Sequence, residues 1–131
     1  MNDRKQLAEL VELTAVQFRA IQSEMAALLQ KEARLRRNLA QLIESRKVRA
    51  ASGFPADDAA AVAWADLHWH QWVDQRRAII NGELAQVLSE KDTCKMKLTR
   101  AFGRDMATRA LQNKVERTLL RTVTRSRDYV S

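Results

Sequence analysis

The sequence predicts an all-α fold: a long two-helix antiparallel coiled-coil hairpin with an overhanging C-terminal helix. Three observations lead there. The first is a stripe at alternating steps of four and three: Leu7, Val11, Thr14, Phe18, Ile21, Met25, Leu28, Glu32, Leu35, Leu39 and Leu42, apolar at nine of eleven places. Its mean spacing of about 3.5 residues keeps one seam of a helix against one partner helix. The second is the scarcity of breakers, with one proline and three glycines in 131 residues. The third is a single strong break, Ser52-Gly53-Phe54-Pro55, placed so that the rest of the chain can fold back on the stripe.

Composition agrees. A hydrophobic content of 46% with 30% charged residues excludes a disordered chain, and 5% aromatics are too few for a typical β-sandwich or barrel. The length allows one domain, residues 1–131. The lone cysteine, Cys94, forms no intramolecular disulfide, which fits a reducing cytosol. The N-terminal residues lack the apolar run of a signal peptide, and the longest apolar run, Ala59 to Ala65, is too short to span a membrane.

Helix 1 is expected over about residues 3–51, with Asp3 as N-cap and Arg46, Lys47 and Arg49 near the negative end of its dipole. The turn takes residues 52–56: Gly53 suits a left-handed C-cap, and Pro55 cannot continue a helix. Helix 2 is expected over about residues 57–127, started by Asp57 and Asp58, with a rougher seam: Trp69, Val73, Ile80, Leu84, Val87, Cys94, Leu98, Phe102. The step from Ile80 to Leu84 reads as a stutter.

Folding at Phe54 pairs positions whose numbers sum to about 108. Leu39 then meets Trp69, Leu35 meets Val73, Leu28 meets Ile80 and Ile21 meets Val87. The polar interruptions also match, Glu32 with Arg76 and Thr14 with Cys94, which favours a monomeric intramolecular hairpin over pairing between chains. Residues 103–131 are left as an unpaired overhang, with Val115 and Leu119 among its apolar residues and Arg117, Arg121 and Arg125 at four-residue steps. An amphipathic basic helix with no internal partner is a binding element, or else it folds back or frays.

Charge is uneven. Residues 1–50 carry 10 Lys/Arg and 6 Asp/Glu, residues 51–90 carry 2 and 6, and residues 91–131 carry 11 and 4. The excess at the C-terminal end calls for an acidic protein surface, a nucleic acid or an anionic membrane face.

Three tryptophans, Trp64, Trp69 and Trp72, lie among His68 and His70. Trp69 falls on the seam; Trp64 and Trp72 are partly exposed packing or an interaction patch, since Trp is favoured in binding hot spots. His68 and His70 point to different sides of a helix, and Asp66 with His70 makes only two ligands, so no metal is expected. With no phosphate loop, nucleophile elbow or dinucleotide fingerprint, neither a cofactor nor a catalytic constellation is expected.

Two stretches carry a family resemblance. Gln75-Arg76-Arg77-Ala78-Ile79-Ile80-Asn81-Gly82-Glu83-Leu84-Ala85 is similar to the arginine-then-leucine pattern early in the second helix of the FliJ/YscO family. Arg100-Ala101-Phe102-Gly103-Arg104, followed by Ala110-Leu111, is similar to its later part. With the hairpin, overhang and basic excess, the chain resembles these stalk components of bacterial flagellar and virulence type III export machines. The resemblance implies a cytoplasmic, non-enzymatic protein, peripheral at the inner-membrane export apparatus. It implies a hairpin inserted into the pore of a hexameric export ATPase, promoting its assembly or activity, and contacts with the export gate or export chaperones. Partner-binding residues are then expected at Arg117, Arg121, Arg125, Val115 and Leu119 on the overhang and at Trp64 and Trp72 near the turn. Two other readings stand beside it. One is a general coiled-coil adaptor or chaperone that binds a helical protein. The other is a nucleic-acid-associated helix, against which the Thr, Met and Leu mixed among the arginines argue.

Overall fold

The computed structural model describes residues 2–52 and 59–130. Two helices account for nearly all of them, α1 (Asn2–Ala51) and α2 (Ala59–Val130), packed against each other as an all-α helical hairpin. Asp3 lies inside the first turn of α1 instead of capping it, where its charge still meets the positive end of the dipole. At the other end, Ser52 N–H donates to the Val48 carbonyl at 3.0 Å and Ser52 Oγ donates to the Arg49 carbonyl at 3.3 Å. These bonds satisfy carbonyls that a helix end leaves without partners. Gly53, Phe54, Pro55, Asp57 and Asp58, expected to turn the chain and restart it, lie outside the described residues.

All eleven positions of the α1 stripe are buried or half-buried. Only Ala15 and Arg49 join them among the described residues of α1. The 3.5-residue repeat therefore selects one face with almost no leakage.

By its contacts the chain forms two compact units. One comprises Ala27–Asp92. Its core is a ladder of branched aliphatics, Leu35, Leu42, Val73, Ile80 and Val87, with Leu39, Trp69 and Leu84 packed against it. Each side chain of that size stabilises by roughly 1.5–3 kcal/mol when fully buried. Arg49 contacts Asp66, and Glu32 contacts Lys91, so numbers rise on α2 as they fall on α1, which makes the pair antiparallel.

The other unit comprises Met1–Ala26 with Thr93–Ser131. Its α2 face is built differently, from Cys94, Ala101 and Asp105, all buried. Against them lie Leu7, Val11, Thr14, Phe18, Ile21 and Met25 of α1. Phe18 and Phe102 meet with ring centroids 5.6 Å apart. Cys94 Sγ donates weakly to the Ile21 carbonyl at 3.8 Å. The buried α2 side chains here are small or polar, whereas those of the first unit are branched aliphatics.

The register differs from the one the sequence suggests. Glu32 pairs with Lys91 and not Arg76; Thr14 meets Asp105 and Thr108 and not Cys94; Cys94 lies at Ile21. Contacting pairs sum to 115–123 instead of about 108. A seam that repeats every seven residues keeps apolar opposite apolar after a slide, so the apolar pattern does not choose the register. The polar positions choose it. Glu32 gains Lys91 Nζ at 2.9 Å, and Thr14 Oγ1 reaches Asp105 Oδ1 at 3.4 Å and Thr108 Oγ1 at 3.0 Å.

The stutter expected at Ile80 stands: covered places of α2 step by three from Asp66 to Trp69 and by four to Val73, and by four from Ile80 to Leu84 and by three to Val87. Two corrections follow from this register. Ala101 takes the seam place expected for Phe102, which is half exposed. Pairing also extends well past residue 103, and the uncovered end of α2 starts after Val115: residues 116–130 are all exposed.

Candidate partner-binding surface

The uncovered end of α2 holds most of the residues expected to bind a partner. Val115 is half-buried, as the last rung of the paired seam, and Leu119 is exposed. Arg117, Arg121 and Arg125 are exposed on one helix face, at i, i+4 and i+8. Arg117 Nε donates to the Asn113 carbonyl at 3.4 Å, a long bond that rests the guanidinium along its own helix. Lys114, three residues before Arg117, joins that face. With Ala110, Thr118, Arg117 and Arg121 it lines a shallow groove of about 350 Å³. Sequence reading passed over Lys114, although its i, i+3 spacing to Arg117 was there to be read. Thr118, Thr122 and Thr124 each donate Oγ1 to the carbonyl four residues back, at 2.9–3.0 Å, so their hydroxyls are satisfied within the helix.

Electrostatics separates the two units. The unit Ala27–Asp92 carries 10 Lys/Arg and 9 Asp/Glu, because the basic residues of α1 lie in it with the acidic stretch of α2. The unit formed by Met1–Ala26 and Thr93–Ser131 carries 13 and 7, and the whole excess comes from residues 93–131, with 10 and 3. Any long-range attraction for an anionic surface therefore originates there.

Trp64 and Trp72 are 67% and 54% exposed, both well above what core packing would leave. They share a face with Ile79, eight and fifteen residues from Trp64, itself half exposed. Trp64 stacks edgewise on His68 at 4.0 Å. Trp69 has a different role. It packs on the aliphatic core, and the Arg49 guanidinium sits 4.3 Å from the centre of its ring. Arg49 Nε also lies 3.5 Å from Asp66 Oδ1, and His70 Nε2 lies 3.4 Å from Asp66 Oδ2. Asp66 thus lies between Arg49 and His70 at the end of α1, a cluster missed from sequence because it depends on the register. Among the described residues, no group of three or more His, Cys, Asp or Glu is placed to hold a metal ion.

Two polar sites sit inside the seam. The Glu32 carboxylate accepts from Lys91 Nζ at 2.9 Å and from Arg36 Nη2 at 3.0 Å. Lys91 first, and then Arg36, hold its carboxyl below the ordinary range. Burial pushes the Cys94 thiol up, with Glu24 adding to the effect and Lys97 opposing it. A thiol in that state is a poor nucleophile. Among the described residues, no helix is long and apolar enough to cross a membrane. No protein-family model, curated protein or solved structure matches this chain.

Proposed function

We propose that this chain is a non-enzymatic, stalk-like component of a bacterial type III protein export apparatus. It inserts its coiled coil into a hexameric export ATPase and promotes assembly or activity of the ring, acting in the cytoplasm at the inner-membrane export machinery. The observation that carries the reading is an antiparallel helical hairpin whose α2 runs on past its partner as an exposed, basic, amphipathic end, residues 116–130. The FliJ/YscO-like stretches at residues 75–85 and 100–111 support it. The arginine face steers the end of α2 toward acidic walls, raising the association rate more than the affinity. Arg117, Arg121 and Arg125, with Lys114, make that contact; the export gate or export chaperones are further partners.

A second reading is a coiled-coil adaptor that binds another helical protein, favoured by the exposed face of Trp64, Trp72 and Ile79. Affinity capture from nuclease-treated cytosol separates the two. Recovery of a hexameric type III ATPase by the whole chain, with loss on truncation after Val115, supports the stalk. Recovery of a different helical protein, lost on changing Trp64 and Trp72 to Ala, replaces the stalk with the adaptor.

A further inference from the structure

On the side of α2 turned away from the seam, Arg100, Arg104, Lys114, Arg117, Arg121 and Arg125 fall within roughly 140° of one another around the helix. At 1.5 Å per residue the stripe is about 38 Å long. All six side chains are exposed, including Arg100 and Arg104, whose neighbours Ala101 and Asp105 are buried in the seam. Packing of α1 on α2 therefore leaves this side open. No carboxylate interrupts the stripe from Arg100 to Arg125. Asp105 is buried, and Glu116 lies roughly 160° around the helix from Lys114.

Threonine, methionine and leucine mix with these arginines along the chain, but the helix sorts them. Met106, Leu119, Leu120 and Val123 fall off the stripe. Leu111 is the one large apolar side chain on it, and it holds no aromatic ring between Arg100 and Arg125. Thr118 and Thr122 stand beside the arginines, with their hydroxyls donated to the Lys114 and Thr118 carbonyls at 2.9 and 3.0 Å. A protein surface held by this stripe alone would lack the aromatic and apolar anchors that carry most interface affinity. A single nucleic-acid strand would lack aromatic rings to stack on. The phosphates of a duplex need neither, because neutralising them releases counterions and the gain grows with each cation that reaches one. Five of the six cations are arginines, whose planar fork bonds a phosphate through two parallel N–H donors.

We propose that this stripe binds duplex nucleic acid along its phosphate backbones, without reading the base sequence. Such binding is independent of the export reading. It needs only the purified chain and a duplex, and it draws on Arg100 and Arg104 as well as on the end of α2. Failure with an export ATPase and failure with a duplex are thus separate results.

Fluorescence anisotropy of the whole chain with labelled DNA duplexes of two unrelated sequences, from about 50 to about 200 mM salt, tests it. The two duplexes should bind alike. The logarithm of the affinity should fall with the logarithm of salt at a slope of about −4.5, from about 0.9 for each of roughly five phosphates, a loss of roughly 500-fold over that range. Arg121→Gln and Arg127→Gln remove the same charge from exposed positions, but Arg127 lies roughly 150° from the middle of the stripe. Arg121→Gln should make the slope shallower by about 0.9, and Arg127→Gln should leave it unchanged. No binding at the lowest salt overturns the proposal, and so does an equal change of slope in the two variants. Displacement of the duplex by polyglutamate at equal charge concentration would also overturn it, and would assign the stripe to an acidic polypeptide.

Discussion

Ile79 and Ile80 offer a pair of substitutions with identical chemistry on adjacent residues. Ile80 is 3% exposed among Leu35, Leu42, Val73 and Val87, whereas Ile79 is 52% exposed. Ile80→Ala removes three carbons, about 2.4 kcal/mol at about 0.8 kcal/mol each. The cavity adds to this, but the two-helix seam is open on both flanks and can be wetted or closed. The total should sit near the low end of the usual range, about 2–3 kcal/mol. Ile79→Ala removes carbons already half in water and gains a few tenths of a kcal/mol of helix propensity, for a net cost below about 1 kcal/mol. Trp64, Trp69 and Trp72 lie in the same compact unit as both residues, so tryptophan emission during urea unfolding reports the right event. With a slope on the order of 1–3 kcal/mol per molar urea, Ile80→Ala lowers the midpoint by about 1–2 M and Ile79→Ala by less than about 0.5 M, the slopes unchanged. Equal shifts would refute the assignment of the seam.

Two further outcomes concern the polar sites in the seam. The folded carboxyl of Glu32 titrates below its unfolded value of 4.5, so its contribution to stability is complete above that pH and is lost as pH falls through the lowered folded value. Thermal midpoints of the wild type should therefore fall more steeply below about pH 4.5 than those of Glu32→Gln; parallel curves would mean that Lys91 and Arg36 contribute nothing through this group. Cys94, buried and with its thiol pushed up, should react with iodoacetamide at least about a hundredfold more slowly in the native chain than in urea. Comparable rates would place the thiol in solvent.

The two helices and the buried face of α1 were legible because a heptad repeat needs only apolar and polar letters at fixed spacing. Every position from Leu7 to Leu42 in that repeat is covered. Register was not legible for the same reason: translation by a heptad leaves the apolar pairing almost unchanged. The Glu32–Arg76 match carried little information in a chain with 23 Lys/Arg, since many cations lie within one slide of any carboxylate. The structure resolves the choice through Asp105, a buried carboxylate that touches Thr14 and pairs with Arg109 at 3.3 Å. From sequence Asp105 looked like part of a solvated overhang. Phe102 misled in the opposite sense, because its size suggested a core position that the smaller Ala101 fills. The arginine steps at Arg117, Arg121 and Arg125 and the exposure of Trp64 and Trp72 needed no register, so they were readable beforehand. The Arg49–Asp66–Trp69 cluster joins the two helices and emerges only once they are aligned.

The central claim is that the basic end of α2 engages an export ATPase ring. Its most direct measurement is titration of purified chain into an isolated type III export ATPase, with hexamer assembly and ATP hydrolysis followed together. The account expects both to rise saturably with the wild-type chain. It expects little of either with Arg117, Arg121 and Arg125 all changed to Glu at low ionic strength, where exposed charges act most strongly. No response to the wild-type chain, or an equal response to the triple reversal, would contradict it.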